Sequence, residues 1–212
     1  MEKLSKDLWI FKEPTETKVM ISYEAKIKIS KQDIEKIEEK LKQLGFQKEE
    51  ERLEKDIIVS SPKDEYYTFK LKEAKNNRSR ILEVFSKSIN EKAKYTTIIL
   101  VPEEEKEEGV FEWIIKKLWE TLEREKSTDF IITKIEKRRI AFNKGGEMSV
   151  TIDLDVIKKE NGQATHLGSF IEITTYKEED LDFLLQQFKD FGEITFTHYY
   201  KMENNFGKNI RN

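Results

Sequence analysis

The 212-residue chain contains no cysteine, so it can build neither a disulfide framework nor a thiolate metal site. Its two histidines, His166 and His198, are too few for a histidine-rich metal centre. His166 reads as a loop residue, and His198 could stand at the mouth of a cavity. There is no surplus of positive charge either: 39 Lys and Arg face 42 Asp and Glu. A generic nucleic-acid binder carries a basic excess, so duplex nucleic acid is not expected as a partner. A local basic pocket remains compatible with that balance. No apolar run approaches the roughly 20 residues of a membrane span, and the first residues lack the apolar centre of a signal peptide. There is no Walker A loop and no GxGxxG; Gly145-Gly146 reads as a hairpin turn, not a phosphate cradle. These absences lead to the expectation of a soluble cytoplasmic protein without a membrane partner.

What is present is an alternation of helices and strands. Residues 1–18 read as an N-terminal extension, 19–202 as one domain, and 203–212 as a polar tail. Strands are expected near 19–29, 52–59, 66–73, 80–88, 93–101, 130–142, 148–157, 168–175 and 193–202. Ile34, Ile37, Leu41 and Leu44 recur at helical spacing behind a cap at Ser30 and Asp33, and Gly45 supplies the stop. A second amphipathic helix is expected from Val110, with Phe111, Ile114, Leu118 and Trp119 on one side. A third, 178–190, carries Leu181, Leu184, Leu185 and Phe188. The fold class is α+β.

The strands are unusual in carrying charge on one face. Glu24, Lys26 and Lys28 alternate with Tyr23, Ala25, Ile27 and Ile29. Lys70 and Lys72 alternate with Phe69 and Leu71; Lys137 and Arg139 share one face, and Asp153 and Asp155 oppose Ile152, Leu154 and Val156; Glu172 and Thr174 oppose Ile171 and Ile173. An antiparallel sheet with one solvated face would read the same way. Three amphipathic helices, however, need the apolar strand faces, so about eight strands are left with polar faces that either lie open or close on themselves. A closed or nearly closed antiparallel β-barrel, with helices outside and a polar tunnel inside, satisfies both demands. A lumen with both signs of charge suits a polyphosphate: ammonium and guanidinium meet phosphate oxygens, and carboxylates hold a hard divalent cation.

The order of these segments resembles the CYTH family of triphosphate tunnel enzymes. That superfamily includes inorganic and thiamine triphosphatases, class IV adenylate cyclases, and fungal and viral RNA triphosphatases. Glu24-Ala25-Lys26-Ile27-Lys28 is similar to its Glu-x-Glu-x-Lys opening, with Lys26 where the second Glu belongs. Leu44-Gly45-Phe46 resembles its turn, Glu54-Lys55-Asp56 its Gln-x-Asp, and Phe69-Lys70-Leu71-Lys72 its paired-arginine strand. Ile135-x-Lys137-x-Arg139, Leu154-Asp155-x-Ile157 and Leu167-Gly168-Ser169-Phe170-Ile171-Glu172 are similar to three later strands. Tyr199 and Lys201 stand where the closing strand carries a Tyr or a basic residue. The likeness runs in order from 23 to 201.

The resemblance implies hydrolysis of a triphosphate: inorganic triphosphate, a nucleoside triphosphate or thiamine triphosphate. It implies Glu24, Asp155 and Glu172 as catalytic residues and as ligands of Mg²⁺ or Mn²⁺, with Asp153 and Glu83 as outside candidates. The phosphate-binding set it implies is Lys26, Lys28, Lys70, Lys72, Lys87, Lys137, Arg139 and Lys201. The departures fall on acidic positions: Lys26, Thr174 and the carboxylate-free strand 94–98 stand where Glu is expected. They open a second reading, a protein that binds or senses a polyphosphate or nucleotide without turning it over. Cyclisation of ATP is a third. The partner expected is a small triphosphate or nucleotide, and a homodimer stays open.

Overall fold

A computed structural model describes residues 17–61, 64–74, 80–88, 92–101 and 131–202. Eight long strands dominate: β1 Thr17–Ile29, β2 Gln47–Ser61, β3 Asp64–Ala74, β4 Arg80–Ser88, β5 Ala93–Val101, β6 Ile131–Lys144, β7 Met148–Glu160 and β8 Gln163–Thr175. Two α-helices accompany them, α1 Ile34–Gln43 and α2 Glu178–Phe188, and a two-residue strand β9, Ile194–Thr195, follows α2. The expected helix from Val110 and the tail 203–212 lie outside the described residues, as does all but the end of the expected extension, since β1 starts at Thr17.

All pairings are antiparallel, in the order β5-β4-β3-β2-β6-β7-β8-β1-β9. At 13 residues, β1 is long enough to serve two neighbours. Its first half, from Thr17 to Tyr23, pairs with β5, and its second half, from Tyr23 to Ile29, pairs with β8. The ladder from β1 to β8 therefore returns on itself.

Alternation then sorts the side chains. Ala25, Ile27 and Ile29 of β1 join Ile140, Phe142, Val150, Ile152, Ile171 and Ile173 in one core. The same core holds Ile37 and Leu41 of α1 and Leu181, Leu184, Leu185 and Phe188 of α2. The helices thus cover one face of β1, β6, β7 and β8, because that is where the apolar residues of this core lie. Gly45, at φ 84°, ends α1, and the Gly45 and Phe46 N–H groups donate back to the Lys42 and Leu41 carbonyls.

The end of the chain departs from expectation. The strand expected over 193–202 is only two residues of β9, followed by a 3₁₀ turn at Tyr199–Lys201. That turn carries Tyr199 and Met202 into a second, smaller cluster with Ile58, Ile135, Val156, Leu167 and Phe170.

Candidate functional site

The inner face, opposite the helices, carries a connected set of buried charges. In register, Lys26 of β1 faces Glu172 of β8, and Arg139 of β6 faces Asp153 of β7 on one side and Arg52 of β2 on the other. Lys26 Nζ lies 3.4 Å from Glu172 Oε2. Arg139 donates from Nε and Nη2 to the two oxygens of Asp153, both at 2.7 Å, and from Nη2 to Glu172 Oε1 at 2.9 Å. Its Nη1 lies 3.1 Å from Glu54 Oε1. Lys137 Nζ reaches Asp56 Oδ2 at 2.6 Å and Glu54 Oε1 at 3.0 Å. Three cations and four carboxylates are so joined, all but Glu172 buried, and a fourth cation, the half-buried Arg52, donates from Nε and Nη2 to Glu54 Oε2.

Tyr199 ties the set together from the C-terminal turn. Its hydroxyl donates to Asp153 Oδ2 at 2.9 Å, and Thr151 donates to Oδ1 of the same carboxylate. The Tyr199 ring lies 5.0 Å from Lys26 Nζ and 5.4 Å from Lys137 Nζ, with its edge toward Phe170. Burial alone would push the Lys137 ammonium down, and Arg139 adds to this, yet Asp56, Glu54 and Asp153 hold it above the ordinary lysine value. Burial likewise opposes the Arg139 charge, but Asp153, Glu54 and Glu172 hold it well above the usual arginine range. Burial pushes the Tyr199 phenol well up, and Asp153 and Glu172 push it further.

The expected site residues are divided by this geometry. Lys26, Lys137, Arg139 and Glu172 come together; Glu24 and Lys28 sit half-buried on either side of Lys26 on β1. Lys72 is in register with Asp56, and Lys70 with Ile58 and Glu83, which places both lysines in the inner-face series; their side chains, like those of Lys87 and Glu83, lie outside the described residues.

Two expectations, Asp155 and Lys201, are corrected. Asp155 does not accompany Asp153: the β7–β8 register shifts between Asp153 and Val156, Asp155 has φ 52°, and its exposed carboxylate pairs with Lys31. The bulge inserts one residue and turns Asp155 outward, leaving Asp153 inside. The backbone of Lys87 pairs with Tyr67 and Tyr95, and Ser86 stands opposite Thr68 and Thr96 after a shift in β4; the expectation for the Lys87 side chain lies outside the described residues. Lys201 is exposed on the 3₁₀ turn, over the Tyr200 ring, so Tyr199 and not Lys201 enters the interior. His198 stacks on Tyr200.

Glu54 and Asp56 are site residues that sequence reasoning left out. The signal was present as an acid-x-acid alternation on a strand flanked by apolar residues. A groove of about 820 Å³ beside the β6–β7 bulge is lined by Leu53, Arg138 and Asp155. Glu54 and Lys137 also border it, but with buried side chains, so it is an outer groove and not the inner site.

The described residues build no dedicated all-protein cage for a divalent metal. No cluster of three or more Asp, Glu or His side chains suited to a metal ion occurs among them. The four inner carboxylates surround Arg139 and Lys137 and take hydrogen bonds or ion pairs from them or from Lys26. No helix among the described residues is long and apolar enough to cross a membrane.

No family model and no curated protein matches the chain. Solved structures do. The PH1012 protein of Pyrococcus horikoshii aligns over 86% of this chain and 99% of its own, with 14% identity and a TM-score of 0.56. A provisionally assigned adenylyl cyclase from Hippeastrum, described as revealing a dominant triphosphatase activity, aligns over 85% of this chain and 92% of its own, at 10% identity and TM-score 0.51. A provisionally assigned adenylate cyclase from Vibrio parahaemolyticus aligns over 86% of this chain and 96% of its own, at 18% identity and TM-score 0.51. At these identities the likeness is one of fold.

Proposed function

We propose that the chain binds a triphosphate-class anion, inorganic triphosphate or the triphosphate of a nucleotide, in a tunnel enclosed by the cyclic strand ladder. The observation that carries this reading is the placement of Lys26, Lys137 and Arg139 together on the inner face, with Lys28 alongside and Lys70 and Lys72 in the same register series. The inner carboxylates already meet these cations, so a phosphate would enter by exchange for one of them, its oxygens taking the same charge-assisted hydrogen bonds. The likeness to structures named for adenylyl cyclase and triphosphatase activity supports the same ligand class.

Lys137 is held by two carboxylates and the Tyr199 ring. It forms the supporting wall. Lys26, Lys28 and the Glu172 side of Arg139 form the face that receives the anion, because Glu172 is the most accessible of the four carboxylates, at 14% side-chain exposure. Hydrolysis with Mg²⁺ or Mn²⁺, the activity implied by the resemblance, needs one or two carboxylates able to hold the metal together with the substrate's phosphates. Among the described residues the inner carboxylates are engaged by Lys26, Lys137 and Arg139, so binding is the reading this geometry favours.

The test is calorimetric titration with inorganic triphosphate and ATP, alongside phosphate release with Mg²⁺ or Mn²⁺. Saturable binding that Lys26→Gln weakens about tenfold or more fits the loss of a charge-assisted bond. Release of phosphate that Glu172→Ala abolishes would establish hydrolysis instead.

A further inference from the structure

The inner face bears on the form in which the ligand arrives, and this step rests on the anion-binding reading above. We infer that the site takes a metal-free polyphosphate, and that Glu172 holds the place of a phosphate until one enters. Two relationships lead there.

First, Lys26 stands directly opposite Glu172 in the β1–β8 register, and its ammonium lies 3.4 Å from Glu172 Oε2. The other oxygen of the same carboxylate accepts from Arg139 at 2.9 Å. Glu172 is therefore bracketed by a fixed cation on each side. A divalent ion added there would meet an ammonium and a guanidinium at close range, where like charges in a poorly solvated site repel strongly. Both cations are buried, so they cannot swing into water to make room.

Second, a carboxylate between a lysine and an arginine is the arrangement by which proteins bind phosphate, with the carboxylate in the phosphate's position. Asp153 cannot leave: Arg139, Tyr199 and Thr151 all hold it, and it is 0% exposed. Glu172 is the member with access to change partners. When a phosphate oxygen takes the Lys26 and Arg139 donors, Glu172 turns aside, and no covalent step is involved. The protein's own anion competes with the ligand.

This reading fixes the sign of an experiment. Removing the charge of Glu172 while keeping its shape, with Glu172→Gln, should tighten inorganic triphosphate binding in EDTA by about tenfold, the worth of one competing charged hydrogen bond. Lys26→Gln should weaken it by a similar factor. Mn²⁺ titrated alone, followed by the electron paramagnetic resonance signal of the free ion, should show no saturable binding to the wild-type chain. The inference is overturned if Mn²⁺ alone binds the wild type and Glu172→Gln abolishes that binding. It is equally overturned if Glu172→Gln weakens triphosphate binding in EDTA. Absence of triphosphate binding by all forms, with melting transitions intact, would remove the anion reading itself. The Mn²⁺ titration would still decide the metal question.

Discussion

Arg139 and Asp153 face each other directly across the β6–β7 ladder and share two parallel hydrogen bonds of 2.7 Å in the interior of the strand ring. Both are buried. A pair of this kind contributes little net stability compared with an apolar pair of the same shape, because both charges were stripped of solvent. Breaking one side is another matter. Arg139→Met leaves Asp153 charged and buried with only two hydroxyl donors, and should cost about 3–5 kcal/mol. Arg139→Met combined with Asp153→Asn should cost less than the sum of the two. Chemical denaturation of the two single variants and the double variant measures this, and strict additivity would count against the pairing.

Tyr199 joins the same carboxylate from a different part of the chain. Tyr199→Phe keeps the ring over Lys26 and Lys137 but removes the donor to Asp153 Oδ2. The expected loss is about 1–3 kcal/mol, the range for a buried hydrogen bond to a charged group. A melting temperature unchanged from the wild type would show that the hydroxyl contributes nothing.

The alkaline limb of stability follows from the same groups. Tyr199 has a raised pKa, so the native state keeps its proton at a pH where the unfolded chain has released it. Lys137 is raised as well, so its charge, and the stability it brings, persists below the unfolded lysine value. Both contributions have the same sign: full below about pH 10, and lost as pH rises from there through the folded-state values. Melting curves from pH 7 to 11 should stay level and then fall. In Tyr199→Phe the fall should be shallower, since the phenol no longer contributes to it.

Much of this architecture is legible in the chain, for a simple reason. A strand that packs helices on one face and charges on the other must alternate, and the strands expected over 80–88 and 93–101 have those bounds, Arg80–Ser88 and Ala93–Val101. Gly45 marks the end of α1 because only the left-handed turn there needs a glycine. What alternation cannot show is where it slips. One extra residue in β7 and another in β4 exchange the faces of everything beyond them, and no residue type at Asp155 or in β4 announces this. The last segment fails differently. Thr195 to Tyr200 has strand-forming residues, but Tyr199 gains more from the buried Asp153 and Phe170 than from extending a ladder.

Asp155 gives a direct check on that slip. Its carboxylate is exposed at the bulge and pairs only with the exposed Lys31 among the ion pairs described. Asp155→Asn should therefore leave triphosphate affinity unchanged and shift stability by no more than about 0.5 kcal/mol, as exposed pairs do. Asn also tolerates the positive φ of this position. A hundredfold loss of binding would place Asp155 back in the site and contradict the register.

Gly192 tests how the C-terminal turn is held in place. It follows α2 and lies against β1 so closely that an added Cβ would fall 1.7 Å from the Lys28 carbonyl oxygen. The obstacle is backbone, which cannot rotate away as a side-chain tip can. Next to it, the Lys28 N–H donates to the Glu193 carbonyl at 3.0 Å, and β9 pairs with Lys26 and Ile27. Gly192→Ala must therefore push this whole segment off β1, and Tyr199 lies seven residues further on the same tether. The expected cost is at least about 2 kcal/mol, the upper part of the range for overpacking against a rigid neighbour. A second consequence separates this from general destabilisation. Once the tether is displaced, the Tyr199 hydroxyl should no longer reach Asp153, so adding Tyr199→Phe to Gly192→Ala should cost far less than it does in the wild type. Full additivity of the two changes would mean that Tyr199 is held by its own cluster with Phe170 and Met202, independently of the close contact at Gly192.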